Sequence, residues 1–255
     1  MNPYNSHIFY DEFSYERNGE LRDFVSSTFI SALLQSISQQ CILVLGWDGT
    51  MLRAISQHAE KEIPFVWINF GHKGFLLNHP HWIFPDIPKF VSRQYPLLEL
   101  RNIWEFMGNA FNDIHLYSPE GKAISLEISN GEGLLKLWWD GAIIATPAGS
   151  TWHSKSYGWP VLPHTSKNIV ITPKWNIGHS SPKAIEDSHI LQIRNTGRKY
   201  PLGINIDGVQ QHISQSDEDI ELEVQISQKK VNLLLAGDHI RDWDNKVMQE
   251  QWFSI

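Results

Sequence analysis

An α/β N-terminal domain with a parallel sheet, followed by a mostly antiparallel β domain, is the fold class this sequence predicts. Three observations carry that expectation. The apolar runs Cys41-Ile42-Leu43-Val44-Leu45-Gly46 and Pro64-Phe65-Val66-Trp67-Ile68-Asn69-Phe70 flank a helical stretch, and each runs into a glycine, Gly46 and Gly71. That is the βαβ pattern of strands buried on both faces. After Tyr95-Pro96 the spacing changes to alternation of apolar and polar residues, the period of half-buried strands. With 255 residues the chain can also bury two modest cores.

Taken in order, His7-Ile8-Phe9-Tyr10 reads as a first strand. Leu21, Phe24, Val25, Phe29, Ile30, Leu33, Leu34 and Ile37 recur at helical spacing, predicting one amphipathic helix that ends near Gln39-Gln40. The strand from Cys41 follows, then a helix through Met51, Leu52, Ile55 and His58, then the strand at Pro64. This is a Rossmann-like arrangement, whose ligands bind outside the carboxyl ends of the strands, where Asp48 and Gly71 lie. In the second half, Ile114/Leu116, Ile124/Leu126/Ile128, Ile204/Ile206 and Ile220/Leu222/Val224/Ile226 alternate with polar residues. Pro119-Glu120-Gly121 and Asn130-Gly131 supply the turns of an antiparallel sheet. The expected organisation is an α/β domain over 1–98, a β-rich domain over 99–236, and a polar helical segment over 237–255 that packs back on the first domain.

Composition narrows the function classes. The chain is 42% hydrophobic and 19% charged, with a net charge of −7 at neutral pH. A nucleic-acid platform needs a basic stripe, and Lys229-Lys230 is only a pair. The single cysteine, Cys41, lies in the most apolar strand and has no second thiol to pair with, as expected in a reducing compartment. Met1-Asn2-Pro3-Tyr4-Asn5-Ser6 lacks the start of a signal peptide, and no apolar run reaches spanning length. A cytoplasmic protein with no membrane and no nucleic-acid partner is the expectation.

Chemistry is concentrated in two segments. Asp48-Gly49-Thr50 follows the Cys41 strand and opens a helix, a place to hold phosphate: glycine lets backbone approach an anion, and the N–H groups of the helix start point at it. Beside that anion the Asp48 carboxylate can act as a general base or a metal ligand; a purely structural Asp-Gly turn explains the same residues. Asp140-Gly141 leads to Thr146-Pro147-Ala148-Gly149-Ser150-Thr151, whose hydroxyls and N–H groups suit a diphosphate or a ribose. Its plainer reading is a strand-to-helix cap with Ser150 or Thr151 as the N-cap. His79-Pro80-His81 has no nearby third ligand, so no metal site is read there. No serine or cysteine nucleophile arrangement is visible.

Together these segments resemble the NAD kinases. Gly46-Trp47-Asp48-Gly49-Thr50 matches that family's Gly-Gly-Asp-Gly-Thr turn, and Gly71-His72-Lys73-Gly74-Phe75-Leu76 its glycine-rich Gly-Phe-Leu strand end. Asn112-Asp113 matches its Asn-Glu pair. Thr146-Pro147-Ala148-Gly149-Ser150-Thr151-Trp152-His153, then Ser156-Tyr157-Gly158-Trp159-Pro160, match its Thr-Pro-x-Gly-Ser-Thr-Ala-Tyr and Ser-x-Gly-Gly segments. Asp207-Gly208 matches a late Asp-Gly turn, and the order holds from about Ile42 to the C-terminus.

The resemblance implies an NAD kinase/diacylglycerol kinase-like fold and phosphorylation of the 2′-hydroxyl of the adenosine ribose of NAD. ATP or polyphosphate would be the donor, with Mg²⁺ or another divalent cation, in a homodimer or homotetramer. It implies Asp48 as the base, with Gly46, Gly49 and Thr50 against phosphate. Phe75 would line the adenine side, Asn112 and Asp113 would hold ribose hydroxyls, and Asp140 and Ser150 would contact adenosine. Thr151 and Ser156 would support the dinucleotide. The chain departs from the family at Trp47, Trp152 and Trp159, each larger than the residue it replaces, at His153 for tyrosine and at Asp113 for glutamate. Trp47 in place of a glycine keeps open a degenerate protein that binds a dinucleotide without phosphoryl transfer. The diacylglycerol kinases share the Gly-Gly-Asp-Gly-Thr turn but continue with Glu-Val rather than Met51-Leu52-Arg53-Ala54, and lack the Thr-Pro-x-Gly-Ser-Thr match.

Overall fold

The computed structural model describes residues 7–37, 39–70, 78, 87–103, 105–159, 161–176, 181–196, 200–215 and 218–237. The chain divides into two compact units, residues 1–95 with 230–252, and residues 96–229 with 253–255. The segment expected to pack back over 237–255 lies, apart from Gly237, outside the described residues.

In the first unit β1 (His7–Tyr10), β2 (Ile42–Gly46), β3 (Phe65–Asn69) and the end of β14 (Glu221–Ala236) lie side by side, all parallel. Every residue of β2 and β3 is buried, which is why both read as unbroken apolar runs. The single helix expected over Leu21 to Ile37 is instead two, α2 (Gly19–Ser26) and α3 (Phe29–Ile37), preceded by α1 (Glu12–Arg17). Asn18 caps α2 through its side chain, and the chain turns extended at Ser27, whose N–H bonds to Phe24 O. The apolar spacing carries across that break because both helices bury the same side, through Leu21, Phe24, Ile30, Leu33 and Leu34, against Leu43, Leu45, Val66 and Ile68. α4 (Asp48–His58) follows β2 directly. Asn78 ties the sheet: its amide donates to Trp67 O at 3.0 Å and Leu234 O at 2.9 Å, and accepts from Ala236 N–H at 2.7 Å.

The strands along the main path of the second unit pair antiparallel. Its path runs from the start of β14 through β11 (Leu191–Thr196), β7 (Ile124–Ser129), β8 (Leu134–Ala145), β6 (Asp113–Tyr117) and β12 (Gly203–Ile206) to β13 (Val209–Ile213). β9 (Asn168–Asn176) pairs with β8, and β10 (Lys183–Glu186) with β9. β4 (Phe90–Asn102) pairs with β5 (Phe106–Ala110). The alternating residues read from the sequence, Ile114, Leu116, Ile124, Leu126, Ile128, Ile204, Ile206, Leu222 and Val224, fall into one apolar cluster. The turns Gly121 (φ +65°) and Gly131 (φ +85°) take the left-handed conformation that favours glycine. β4, β5, β9 to β11 and β13 extend the sheet beyond the strands expected, and β8 is the strand that the sequence ends at Thr146.

Candidate active site

Within the first unit the polar residues of the Gly-Trp-Asp-Gly-Thr segment occupy one turn. Gly46 ends β2 at φ +150°, and a Cβ there would lie 2.7 Å from Thr50 Oγ1, so the position needs glycine twice over. Trp47 follows in extended backbone, and its carbonyl accepts from the N–H groups of Thr50 at 2.9 Å and Met51 at 3.2 Å, starting α4 at Asp48. The Trp47 side chain makes no capping bond to this helix, so among the described residues its first N–H groups and the positive end of its dipole face an anion site. Burial pushes the Asp48 carboxyl up to about 7, near neutrality, where a carboxylate works well as a general base. Thr50 is buried, and its Oγ1 has no partner among the described residues. The Trp47 ring is 40% exposed rather than part of the core, and a Cβ on Gly49 would meet it only at 3.7 Å, ordinary contact.

In the second unit Asn112 and Asp113 form a corner clamped from two sides. Asp207 accepts the N–H groups of Phe111 and Asn112 at 2.7 Å each and of Asp113 at 3.1 Å. It does so from the turn between β12 and β13, where both Asp207 (φ +50°) and Gly208 (φ +78°) are left-handed. Burial drives the Asp207 carboxyl up to about 7 against the pull of those three donors, and the Asp113 charge adds to the rise. On the other side Thr146 donates through Oγ1 to Phe111 O at 2.6 Å and through its N–H to Asn112 O at 2.9 Å. A Cβ on Gly149 would sit 2.0 Å from Asn112 O, so only glycine lets the two segments touch.

Asp113 is 2% exposed, its Oδ2 lies 3.4 Å from His153 Nδ1, and its Oδ1 has no partner among the described residues. The bond to Asp113 raises His153 above the usual imidazole range. Ser150 is buried, and its hydroxyl is engaged within the chain, donating to Pro147 O at 2.7 Å and accepting from Leu162 N–H at 2.9 Å. Thr151 Oγ1 donates to Ala148 O at 3.0 Å. Neither residue is an N-cap, because a 3-10 turn over Gly149–Thr151 precedes the short helix His153–Ser156. Trp152, 39% exposed, stands between the two, and Ser156 ends the short helix in an exposed position.

The sheet register separates Asp140 from this corner. Asp113 pairs with Ala145 while Tyr117 pairs with Gly141, so Asp140 lies beyond the far end of β6, with Ser118 N–H donating to its carbonyl at 3.3 Å. Four strand residues are roughly 13 Å. Phe75, His72, His79 and His81 lie outside the described residues. Asp207 and Thr146 were legible only as parts of motifs; their hold on the Asn112 corner had no sequence signal beyond an Asp-Gly turn and a Thr-Pro pair.

Among the described residues no group of three or more His, Cys, Asp or Glu is arranged to hold a metal. Mg²⁺ in phosphoryl-transfer sites rests mainly on substrate phosphates and water, so the residues fit an ion carried in on a nucleotide. They do not make a cage for a resident one. Among the described residues no helix is long and apolar enough to cross a membrane.

Residues 11–93 match the family described as ATP-NAD kinase N-terminal domain. The chain is 31% identical to the NAD kinase of Thermococcus kodakarensis over 69% of its own length and 66% of that protein. It is 26% identical to the NAD kinase of Cytophaga hutchinsonii over 91% of its own length and 87% of that protein. The structure of an NAD kinase from Archaeoglobus fulgidus in complex with ATP shares its fold, with a TM-score of 0.70, 18% identity and coverage of 98% of this chain and 99% of that one.

Proposed function

Because the chain belongs to the NAD kinase family, we propose that it transfers the γ-phosphoryl group of ATP to the 2′-hydroxyl of the adenosine ribose of NAD, giving NADP and ADP. The observation that carries this reading is Asp48, a carboxyl held near neutrality at the open N-terminus of α4. In the reaction Asp48 takes the 2′-hydroxyl proton as the oxygen attacks the γ-phosphorus and the bond to the ADP oxygen breaks. Gly46, Gly49 and Thr50 lie along the phosphates, with the N–H groups of the helix start facing their negative charge. A divalent cation such as Mg²⁺, bound to ATP, supplies further charge neutralisation. Asn112 and Asp113 hold ribose hydroxyls, and the clamp of Asp207 and Thr146 keeps that corner from shifting. Ser150 supports the segment from within, Thr151 and Ser156 support the dinucleotide, Phe75 lines the adenine, and Asp140 meets a different part of the ligand from Asp113.

Polyphosphate is an alternative donor in this reading, and a cytoplasmic homodimer or homotetramer its setting. A second reading is favoured by Trp47: a large ring beside the phosphate turn, in a protein that binds a dinucleotide without transferring phosphate. Incubation with NAD and γ-labelled ATP in Mg²⁺ separates the two. Label appearing in NADP supports the kinase. Heat of NAD binding in a calorimeter without any labelled NADP supports the second reading.

A further inference from the structure

Away from its apolar core, the sheet of the second unit is polar at one end. Asp113, His115 and Tyr117 alternate along β6 with the core residues Ile114 and Leu116, so all three project to the opposite face. Asn205 of β12 pairs directly with His115, which sets its side chain beside the imidazole. On this face Asp113 Oδ1, His115 Nε2 and Asn205 Oδ1 are all buried, and none has a partner among the described residues. An unpaired buried polar atom costs stability until something bonds to it. Three together, on neighbouring residues of one face, make a surface shaped to receive hydrogen bonds.

The charged and aromatic groups around it set what it can receive. His153 leans over from the short helix, its Nδ1 3.4 Å from Asp113 Oδ2 and its ring 6.2 Å from that of His115. The Tyr117 ring stands 5.2 Å from His115 on the other side. Lys174 of β9 adds its positive charge, and burial together with Lys174 and His153 pushes His115 down to about 4. The imidazole is therefore neutral near pH 7, with one nitrogen that donates and one that accepts. Two oxygen acceptors and a neutral imidazole match an uncharged group that donates as well as accepts. Hydroxyls and NH₂ groups do both; the ionised diphosphate linkage of a dinucleotide has no donor.

We propose that Asp113, His115 and Asn205 form one hydrogen-bonding subsite for a hydroxyl or NH₂ group of the nucleoside, with His115 and Asn205 in direct contact with the ligand. It rests on the reading of Asp113 as a ribose contact and adds two residues that lie outside every motif carrying the family resemblance. Protein labelled with ¹⁵N at histidine is titrated with adenosine and, separately, with nicotinamide mononucleotide. One of the two moves the His115 ring-nitrogen signal, identifying the half that enters, while His58 in the first unit stays in place as a control.

Calorimetry with NAD then shows about fivefold to tenfold weaker binding for His115→Leu and for Asn205→Leu, and a change within twofold for His115→Gln. Should His115→Leu fail to fold, the labelled wild-type titration decides alone. NAD binding with an unmoved His115 signal, or with unchanged affinity in a folded His115→Leu protein, overturns the subsite and leaves the proposed function standing. No heat with NAD and wild-type protein overturns both.

Discussion

Asp48 shows how one position sets both chemistry and stability. Its carboxyl titrates near 7 because burial disfavours the charged form, against 3.8 for the free side chain. Between those two values the folded protein holds a proton that the unfolded chain has released, so the stability contributed by this group falls as pH rises from about 4 to about 7. Asp48→Asn removes that loss, and urea unfolding at pH 8 is expected to find the variant more stable by on the order of 2 kcal/mol. Catalysis runs the other way. In the proposed reaction the ionised form is the base, so turnover is expected to climb through an apparent pKa near 7 and to vanish in Asp48→Asn. Trp47 is the residue to vary next. Its backbone is extended and the residue is 40% exposed, so Trp47→Gly is expected to fold. The substitution is expected to raise ATP-dependent turnover, with NAD affinity little changed. A variant that loses activity or melts early shows instead that the ring belongs to this protein's own site.

At the scale of elements, the Asn112 corner depends on two segments distant in sequence. Asp207→Ala strands three backbone N–H groups and places alanine at a left-handed φ. It is expected to lower stability by roughly 2–4 kcal/mol in urea unfolding. Asp207→Asn, which tolerates that backbone and keeps one acceptor, is expected to lose less. The sequence reading reached the β2–α4 turn because Gly46, Asp48, Gly49 and Thr50 are contiguous, and the strand and helix around them carry clear periods. It did not reach the clamp, because Asp207 is 96 positions from Phe111 and Thr146 is 35. It joined α2 to α3 because Val25 and Phe29 preserve helical spacing across the extended residue Ser27. Nor could periodicity carry β14 past Ile226: Leu233, Leu234, Leu235 and Ala236 are buried in succession where the strand joins β3, and a strand covered on both faces has no alternation to read.

For the whole molecule, fold class and family were legible because each unit writes its period into long stretches, and the motifs recur in a fixed order along the chain. The resemblance implies adenosine contacts for Asp140 as well as ribose contacts for Asp113, and the pairing of β6 with β8 sets the two at opposite ends of a strand. In the proposed reaction, variants of Asp48 in the first unit and of Asp113 in the second are each expected to lower NADP formation. The most direct measurement follows NADP formation from ATP, Mg²⁺ and NAD by wild-type and Asp48→Asn proteins, with NAD affinity measured for each by calorimetry. The account predicts NADP from the wild-type protein only, with NAD affinities within a few-fold of each other. Near-normal turnover by Asp48→Asn, or no NADP from a wild-type protein that binds both substrates, contradicts it.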